Sequence, residues 1–304
     1  MFKEIKNDII AKNDDNGGVI EDMSYKELKI TKYNDYHGYN DEYIKRLEGY
    51  ATLKTNLKPY LMHHKALSET NLPIFVVNLP EISLLSEKII ENSREIEKIS
   101  SKLPGVARHQ FYNEKLSLAI QSTDEIEGIK TTREEINSAK KALLKPDTKK
   151  VRLQSTVKLY QDIIDNKSLH LTTFADIRSI YDELTEGEIA KPNLPDGDFF
   201  RNGEVFIADE RSGATIHNPP INGKVVTAMM AEWLNFINKP DMPFLIKALI
   251  GHYFFENVHP FYDGNGRIGR YILSKYLSRK LDIYTGLGVS QFLNENRKAY
   301  YKAF

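Results

Sequence analysis

The chain contains no cysteine, which excludes a disulfide framework and any metal site built from thiolates. It also lacks a long apolar run, because no stretch approaches the ~18 residues that a membrane-spanning helix needs. The N-terminal sequence MFKEIKNDIIAKNDDNGG has no apolar segment of the kind found in signal peptides. We therefore expect a soluble, cytoplasmic protein without membrane partners.

The chain has no net charge either, since 42 basic residues balance 42 acidic ones. This balance argues against a general binder of polyanions, so nucleic acid is not an expected partner. The 304 residues, 41% of them hydrophobic, suffice for one large or two small domains with a sizeable core. Function must therefore be sought in local motifs.

The spacing of apolar residues predicts a mainly α-helical fold. In the segment 82–103, apolar residues recur at intervals of three, four and seven, which places them on one helix face. We interpret this face as core or as the seam of a homo-oligomer. Thr132 and Glu135 form a capping-box pattern that opens a helix reaching Leu144. Further helices are predicted at 113–122, 151–166, 173–185, 223–238, 242–257 and 265–280.

One segment departs from the helical pattern. The run Val205, Phe206, Ile207 and Ala208 is short, β-branched and aromatic, which predicts a strand or hairpin. A lone hairpin is marginally stable in water, so a ligand or adjacent helices must support it. Residues 1–70 are polar and rich in tyrosine, and they form either a flexible extension or a small subdomain.

The segment 259–270 carries the residues with the clearest chemistry. An apolar helix ends near Val258, and Pro260 cannot extend it regularly. Gly264 and Gly266 allow a tight turn and a close approach of the backbone to a ligand. A new helix begins at about Asn265, where unpaired N–H groups and the helix dipole favour an anion.

The side chains around this turn supply the other parts of a transferase site. Arg267 and Arg270 lie on one helix face, and two guanidinium groups beside an anion site suit a polyphosphate. Asp263 offers the hard oxygen ligand that Mg²⁺ accepts together with nucleotide phosphates. His259 can accept a proton near neutral pH. Together these residues indicate a nucleotidyl or phosphoryl transferase.

The sequence HPFYDGNGRIGR at 259–270 resembles the signature of the Fic family of protein adenylyltransferases, HPFx(D/E)GNGRxxR, at every fixed position. The resemblance implies a Fic-type helical bundle with ATP and Mg²⁺ as cofactors. It implies that His259 is the general base and that Asp263 holds Mg²⁺. It assigns ATP phosphates to Gly264, Asn265, Gly266, Arg267 and Arg270. The related Doc toxins usually have lysine in place of Gly266, so glycine here favours AMP transfer over phosphorylation.

Three further matches depend on this resemblance. The segment 123–128, TDEIEG, fits the inhibitory motif (S/T)xxxE(G/N), which implies that Glu127 pairs with Arg270 and restrains ATP binding. The hairpin at Val205, Phe206, Ile207 and Ala208 resembles the flap that holds the target segment by strand pairing. Tyr300 corresponds to a tyrosine near the adenine. Members of the family continue past the position of Phe304, which leaves open whether the core is truncated at its C-terminus.

We therefore expect the chain to transfer AMP from ATP to tyrosine, serine or threonine hydroxyls of target proteins, itself among the candidates. Two alternatives remain open, namely removal of AMP by the same site and a permanently inhibited module that only binds ATP. The expected domains are an extension at 1–70, a helical region with the inhibitory motif at 71–150, and a catalytic core at 151–304.

Overall fold

The computed structural model describes residues 38–63, 66–69, 72–145, 150–208, 213 and 215–304, together with Tyr25, Leu28 and Ile30. The chain divides into two compact units, 1–52 and 53–304. The described part of the first unit contains helix α1 (Gly38–Leu47). In α1, Arg46 pairs with Glu42 one turn earlier, at 2.5 Å. The residues with the predicted chemistry all belong to the second unit.

The second unit is mainly α-helical, which confirms the predicted fold class. Its helices are α2 (Pro80–Ser101), α3 (Gly105–Ile126), α4 (Arg133–Leu143), α5 (Gln154–Ile164), α6 (Phe174–Leu184), α7 (Gly223–Asn238), α8 (Phe244–Val258), α9 (Asn265–Lys280), α10 (Ile283–Glu295) and α11 (Arg297–Lys302). A 3₁₀ turn covers Lys191–Asn193. No helix in the described part of the chain is long and apolar enough to cross a membrane.

In the described residues, six short strands pair two by two. They are β1 (Thr52–Lys54), β2 (Tyr60–His63), β3 (Ala66–Glu69), β4 (Phe75–Val77), β5 (Ile207–Ala208) and β6 (Thr215–His217). The pairs are β1 with β4, β2 with β3, and β5 with β6. The sequence pattern predicted only the strand near 205–208, because three- and four-residue strands are too short to show an alternating pattern.

The predicted strand at 205–208 is too long. Strand β5 contains only Ile207 and Ala208, which pair with His217 and Thr215 across an irregular register. The preceding residues are held by side chains instead of a neighbouring strand, since the Gly203 N–H donates to the Tyr262 hydroxyl at 2.7 Å. Val205 and Phe206 therefore lie in a loop that leads into the hairpin.

Most helix predictions agree with the structure, and the exceptions have a physical reason. The capping box of Thr132 and Glu135 is present and opens α4. Helices α7 and α9 cover the ranges 223–238 and 265–280, as predicted. Helix α3 is much longer than the predicted range 113–122. The prediction missed the first half of the helix because Val106 and Phe111 are exposed there, so this half has no buried apolar face. Its buried face begins only at Leu116.

The core gathers around α9, which packs against α8, α10 and α3 and also contacts α5 and α6. Helix α9 is buried along most of its length, including its first six residues. The ring of Phe261 stacks on Tyr181 of α6 at 4.1 Å and fixes the turn that precedes α9. This arrangement places the turn at 259–264 beside the C-terminal end of α3.

Candidate active site

The turn between α8 and α9 is shaped by two residues with left-handed backbone conformation. His259 (φ 51°) ends α8 by donating its backbone N–H to the Phe255 carbonyl at 3.0 Å. Gly264 (φ 83°) precedes α9 and adopts this conformation without strain because glycine has no Cβ. Asn265 closes the turn, because its amide accepts from the Phe261 N–H at 2.9 Å and donates to the Phe261 carbonyl at 2.8 Å. Its side chain therefore holds the turn, and only its backbone N–H faces the helix N-terminus.

The N-terminus of α9 has the properties of an anion site. No side chain in the described part of the chain caps it, so its first N–H groups lack a hydrogen-bonding side chain. Space at this end is tight, since a Cβ on Gly266 would lie 2.2 Å from Glu127 Oε1 and 2.7 Å from Arg270 NH1. A larger residue at this position would displace the ends of both side chains.

His259 lies in an environment that keeps its imidazole neutral. Burial lowers its pKa to about 4, and the positive charge of Arg201 acts in the same direction. An imidazole that is neutral at pH 7 can accept a proton from a hydroxyl group. Its backbone carbonyl accepts a hydrogen bond from Arg201 Nε at 2.7 Å, which fixes the residue at the end of α8.

Arg201 connects the hairpin segment to the turn at His259, a role that the sequence did not reveal. Its guanidinium is fully buried and donates to the carbonyls of Gly203 at 2.6 Å, Pro220 at 2.8 Å and Val258 at 3.2 Å. Burial lowers its pKa to about 10, which still leaves it charged at neutral pH. The residue joins both ends of the hairpin segment to the turn that carries His259.

The structure brings Glu127 and Arg270 together across 143 residues of chain. Arg270 NH2 donates to Glu127 Oε1 at 2.5 Å, and Arg270 Nε and NH2 also donate to the hydroxyl and carbonyl of Thr123, at 2.9 and 3.1 Å. Arg270 is only 1% exposed, and the Glu127 side chain is 30% exposed. Two residues of the segment 123–128 thus occupy the guanidinium of Arg270.

Arg267 has a carboxylate partner that sequence reasoning missed. Its NH1 contacts Oε2 of Glu188, which lies in the loop after α6. The same carboxylate pairs with Arg152 Nε at 3.0 Å, and Arg152 NH1 donates to Glu135 at 2.8 Å. No motif could have indicated Glu188, because it is 79 residues from Arg267 and its neighbours are ordinary loop residues. Both arginines of the segment 259–270 therefore contact a glutamate.

Asp263 is exposed on the turn before α9. In the described part of the chain, no group of three or more histidine and acidic side chains could hold a metal by itself. Mg²⁺ does not need such a group, because it binds through one or two carboxylates, water and substrate phosphates. An exposed carboxylate beside an anion site fits that coordination.

The hairpin of β5 and β6 is anchored to α8 through His217. His217 Nε2 lies 2.8 Å from the Asn257 carbonyl, and the Asn257 amide exchanges two hydrogen bonds with the backbone of Tyr60, at 2.7 and 2.9 Å. Burial lowers the pKa of His217. Sequence reasoning did not single out Asn257 or Tyr60, since they lie 197 positions apart. Phe206 and Ile216, on the hairpin segment, have largely exposed side chains.

Tyr300 packs behind the site. Its hydroxyl lies 2.9 Å from His252 Nε2, and its ring contacts Tyr301 and Phe304. The Tyr301 hydroxyl donates to the Ile126 carbonyl at 3.2 Å, at the end of the helix that precedes Glu127. The placement of Tyr300 near an adenine base stays a prediction.

The comparisons with known proteins agree with this geometry. Residues 171–277 match the model of the Fic/DOC family. A crystal structure of a Fic family protein from Desulfovibrio desulfuricans G20 has the same fold, with a TM-score of 0.56 and 19% identity, over 75% of this chain and 66% of that one.

Two curated relatives are each similar to a short region of the chain. One is named "Probable protein adenylyltransferase" in Aquifex aeolicus and is 34% identical over 99 residues, which are 32% of this chain and 27% of that protein. The other is the protein adenylyltransferase Fic of Drosophila ananassae, 31% identical over 86 residues, which are 28% of this chain and 16% of that protein. The chain thus spans about a quarter or less of each relative's length.

Proposed function

We propose that the protein transfers AMP from ATP to a tyrosine, serine or threonine hydroxyl of another protein, because residues 171–277 match the Fic/DOC family model and the chain has the fold of a Fic family protein. The relatives named protein adenylyltransferase support this reaction class. The observation that carries the proposal is the position of His259. Its neutral imidazole ends α8 directly before the turn that opens an uncapped helix N-terminus with two arginines.

The reaction needs a base next to a phosphate site. His259 accepts the proton of the target hydroxyl while the hydroxyl oxygen forms a bond to the α-phosphorus of ATP. The bond between the α-phosphorus and the oxygen that bridges it to the β-phosphate breaks, and pyrophosphate leaves with that electron pair. The N–H groups at the start of α9, together with Arg267 and Arg270, bind the phosphate charge.

Asp263 is the residue that would hold Mg²⁺ beside the phosphates. When bound, Mg²⁺ supplies Lewis-acid neutralisation of charge on phosphate oxygens. The contribution of the chain is the position of the carboxylate, which the turn from Phe261 to Asn265 fixes through the Asn265 amide.

The hairpin is the proposed site for the target segment. A target chain that pairs with the hairpin as an added strand is held through its backbone, so its side chains can vary. Phe206 and Ile216 are exposed there and offer apolar contacts to such a segment. Arg201 and His217 tie the hairpin to α8, which keeps the bound segment in register with His259.

Glu127 restrains the reaction in this proposal. Its carboxylate neutralises Arg270 and lies beside Gly266, where phosphate would otherwise approach the backbone. ATP must therefore displace this carboxylate or bind in a pose that does not react. A carboxylate at this place is also a candidate to activate water, which favours removal of AMP as a second activity of the same site.

The experiment compares the wild type with three variants, using ATP labelled in the α-phosphate. Glu127→Gly should label protein more strongly than the wild type, and Glu127→Gly with His259→Ala should label none. His170→Ala in the Glu127→Gly background is the control, since His170 is exposed and outside the site. Undiminished labelling without His259 would exclude it as the base. Incubation of the wild type with an AMP-modified protein tests the second activity, because release of AMP that depends on Glu127 would establish it.

A further inference from the structure

Helix α2 exposes a continuous apolar stripe. We define the α2 seam as five residues of this helix, Leu85, Ile89, Asn92, Ile96 and Ile99, together with Leu103 just after its C-terminal end. The five apolar side chains among them are 36–55% exposed. The structure thus excludes the interpretation of this face as core. Monomeric proteins rarely expose a large contiguous apolar patch, and such patches mark interaction sites.

The spacing of the α2 seam is that of a coiled coil. Counting from Ile82, the positions 82, 85, 89, 92, 96, 99 and 103 alternate steps of three and four residues through three heptads. Only Asn92 interrupts the apolar sequence. A helix that packs along a repeat of this kind binds another helix lengthwise, and a single polar residue in the seam fixes the register of the pair.

The two flanks of the seam differ. One flank consists of Ser86, Ser93 and Ser100, and it faces the body of the same chain. Ser93 and Ser100 are buried, and Ser93 donates to Asp282 at 2.7 Å. The other flank consists of the exposed residues Lys88, Glu95 and Lys102. The chain therefore uses the serine flank for its own packing and leaves the seam and the charged flank open.

We propose that the α2 seam binds the α2 seam of a second copy of this chain, with the two helices antiparallel. When the helix direction is reversed, the apolar pattern superimposes on itself, with Leu85 opposite Ile96 and Ile89 opposite Asn92. A two-fold axis across the helix, within one turn of Asn92, superimposes the pattern on itself. Such self-complementarity is what an interface between identical copies requires.

The charged flank selects both the partner and the orientation. In an antiparallel pair each flank meets the same flank of the second copy, so Lys88 faces Glu95 of the second copy and Glu95 faces its Lys88. In a parallel pair the charged flank would face serines and form no ion pair. The two opposite charges are placed on either side of the proposed axis, one turn from Asn92 on each side.

The mass of the protein in solution tests the proposal. Sedimentation of the full chain should give twice the 35.0 kDa of one copy. Leu85→Glu and Ile99→Glu should each give the monomer with unchanged circular dichroism, because both side chains are exposed in the single chain. Leu249→Glu is the control and should stay dimeric, since Leu249 on α8 is similarly exposed but outside the seam. A wild type that sediments as a monomer at every concentration, or a dimer that survives both seam substitutions, would overturn the proposal.

Charge exchange tests the orientation. Lys88→Glu and Glu95→Lys should each weaken the dimer several-fold by placing like charges together, and the double exchange should restore it. Cysteines give a second test, because the chain has none of its own. The double variant Leu85→Cys with Ile96→Cys should form disulfides between copies, and Leu85→Cys alone should not, since the two positions are about 17 Å apart along the helix. A disulfide in the single variant, or no recovery in the charge exchange, would contradict the antiparallel pair.

Discussion

Glu127 Oε1 lies 2.5 Å from NH2 of Arg270, and the backbone and hydroxyl of Thr123 occupy further donors of the same guanidinium. The contact joins the C-terminal end of α3 to the first turns of α9. Arg270 is fully enclosed, so its positive charge is unavailable to another anion while this contact persists. The relationship gives the proposed restraint a physical form, which is competition between a carboxylate and a phosphate for one cation.

Replacement of Glu127 by glycine should therefore raise the rate of AMP transfer. We expect an increase of about tenfold or more, which corresponds to about 1.4 kcal/mol in the activation free energy. Incorporation of label from ATP labelled in the α-phosphate measures it. Glu125→Gly is the matched control, because Glu125 lies in the same segment but accepts a solvent-exposed hydrogen bond from Asn294 and does not contact Arg270. Equal rates for Glu127→Gly and the wild type would remove the restraint from the account.

Glu188→Gln should strengthen ATP binding. The substitution keeps a group that can bond to Arg267 but removes a negative charge beside the proposed phosphate site. We expect the dissociation constant of ATP to fall by up to about tenfold, measured by calorimetry. Glu186→Gln is the control, since Glu186 pairs with exposed Lys150. Weaker binding by Glu188→Gln would show instead that the charge of Glu188 is needed to position Arg267.

Arg201→Lys should destabilise the protein by about 2–4 kcal/mol, because an ammonium group cannot reach all the buried carbonyls that the guanidinium satisfies. Urea denaturation measures the change. Arg178→Lys should change stability by no more than about 0.5 kcal/mol, since Arg178 pairs with largely exposed Asp182. A loss as small as that of the control would contradict the role of Arg201 as the tie between hairpin and turn.

The pH dependence of transfer should reflect the environment of His259. The base must be neutral, so activity is lost as the pH falls through its pKa, which burial lowers to about 4. In the Glu127→Gly chain, kcat/KM should therefore remain high at pH 6 and decline well below the ordinary histidine value of about 6.5. Circular dichroism at each pH separates this decline from unfolding. An acid limb centred near pH 6.5 would show that His259 is not held in the buried environment seen here.

Glu256→Gln should change how stability depends on pH. Burial raises the pKa of Glu256 to about 8, so the folded chain keeps the carboxyl protonated while the unfolded chain ionises it above about 4.5. The stability that Glu256 contributes is complete below pH 4.5 and is lost progressively as the pH rises from 4.5 through 8. Glutamine has no such loss, so the advantage of Glu256→Gln in the free energy of unfolding, measured by urea denaturation, should grow by a few kcal/mol between pH 5 and pH 8. A constant difference would contradict the raised pKa.

Local patterns predicted much of the fold. The capping box of Thr132 and Glu135 and the apolar periodicity of α9 depend on residues within one helix, so the sequence alone contains the signal. The same holds for the turn at 259–264, where proline, glycine and a new helix follow one another. What local patterns missed depends on distant partners. Strands β1 and β4 are held together with the help of hydrogen bonds that Thr55 and Leu57 form with Ile74, and neither segment contains a sequence pattern that indicates the other.

The residues of the site also divide into those that local patterns predicted and those that depend on distant partners. The turn residues His259, Asp263, Arg267 and Arg270 form one uninterrupted motif, so their grouping was predictable. The role of Glu188 and the link between Tyr60 and Asn257 were not predictable. These residues belong to no motif, and only the fold places them beside their partners. The exposed α2 seam was predictable as an amphipathic helix but not as a free surface. Periodicity shows which residues share a face and does not show what covers it.

The central claim, transfer of the AMP moiety, has one direct measurement. The Glu127→Gly chain is incubated with ATP labelled in the α-phosphate and, in a parallel reaction, with ATP labelled in the γ-phosphate, and the label bound to protein is counted. We expect incorporation from the α-labelled ATP alone, because pyrophosphate carries the β- and γ-phosphates away. Incorporation from the γ-labelled ATP would show phosphorylation instead, and would contradict the account.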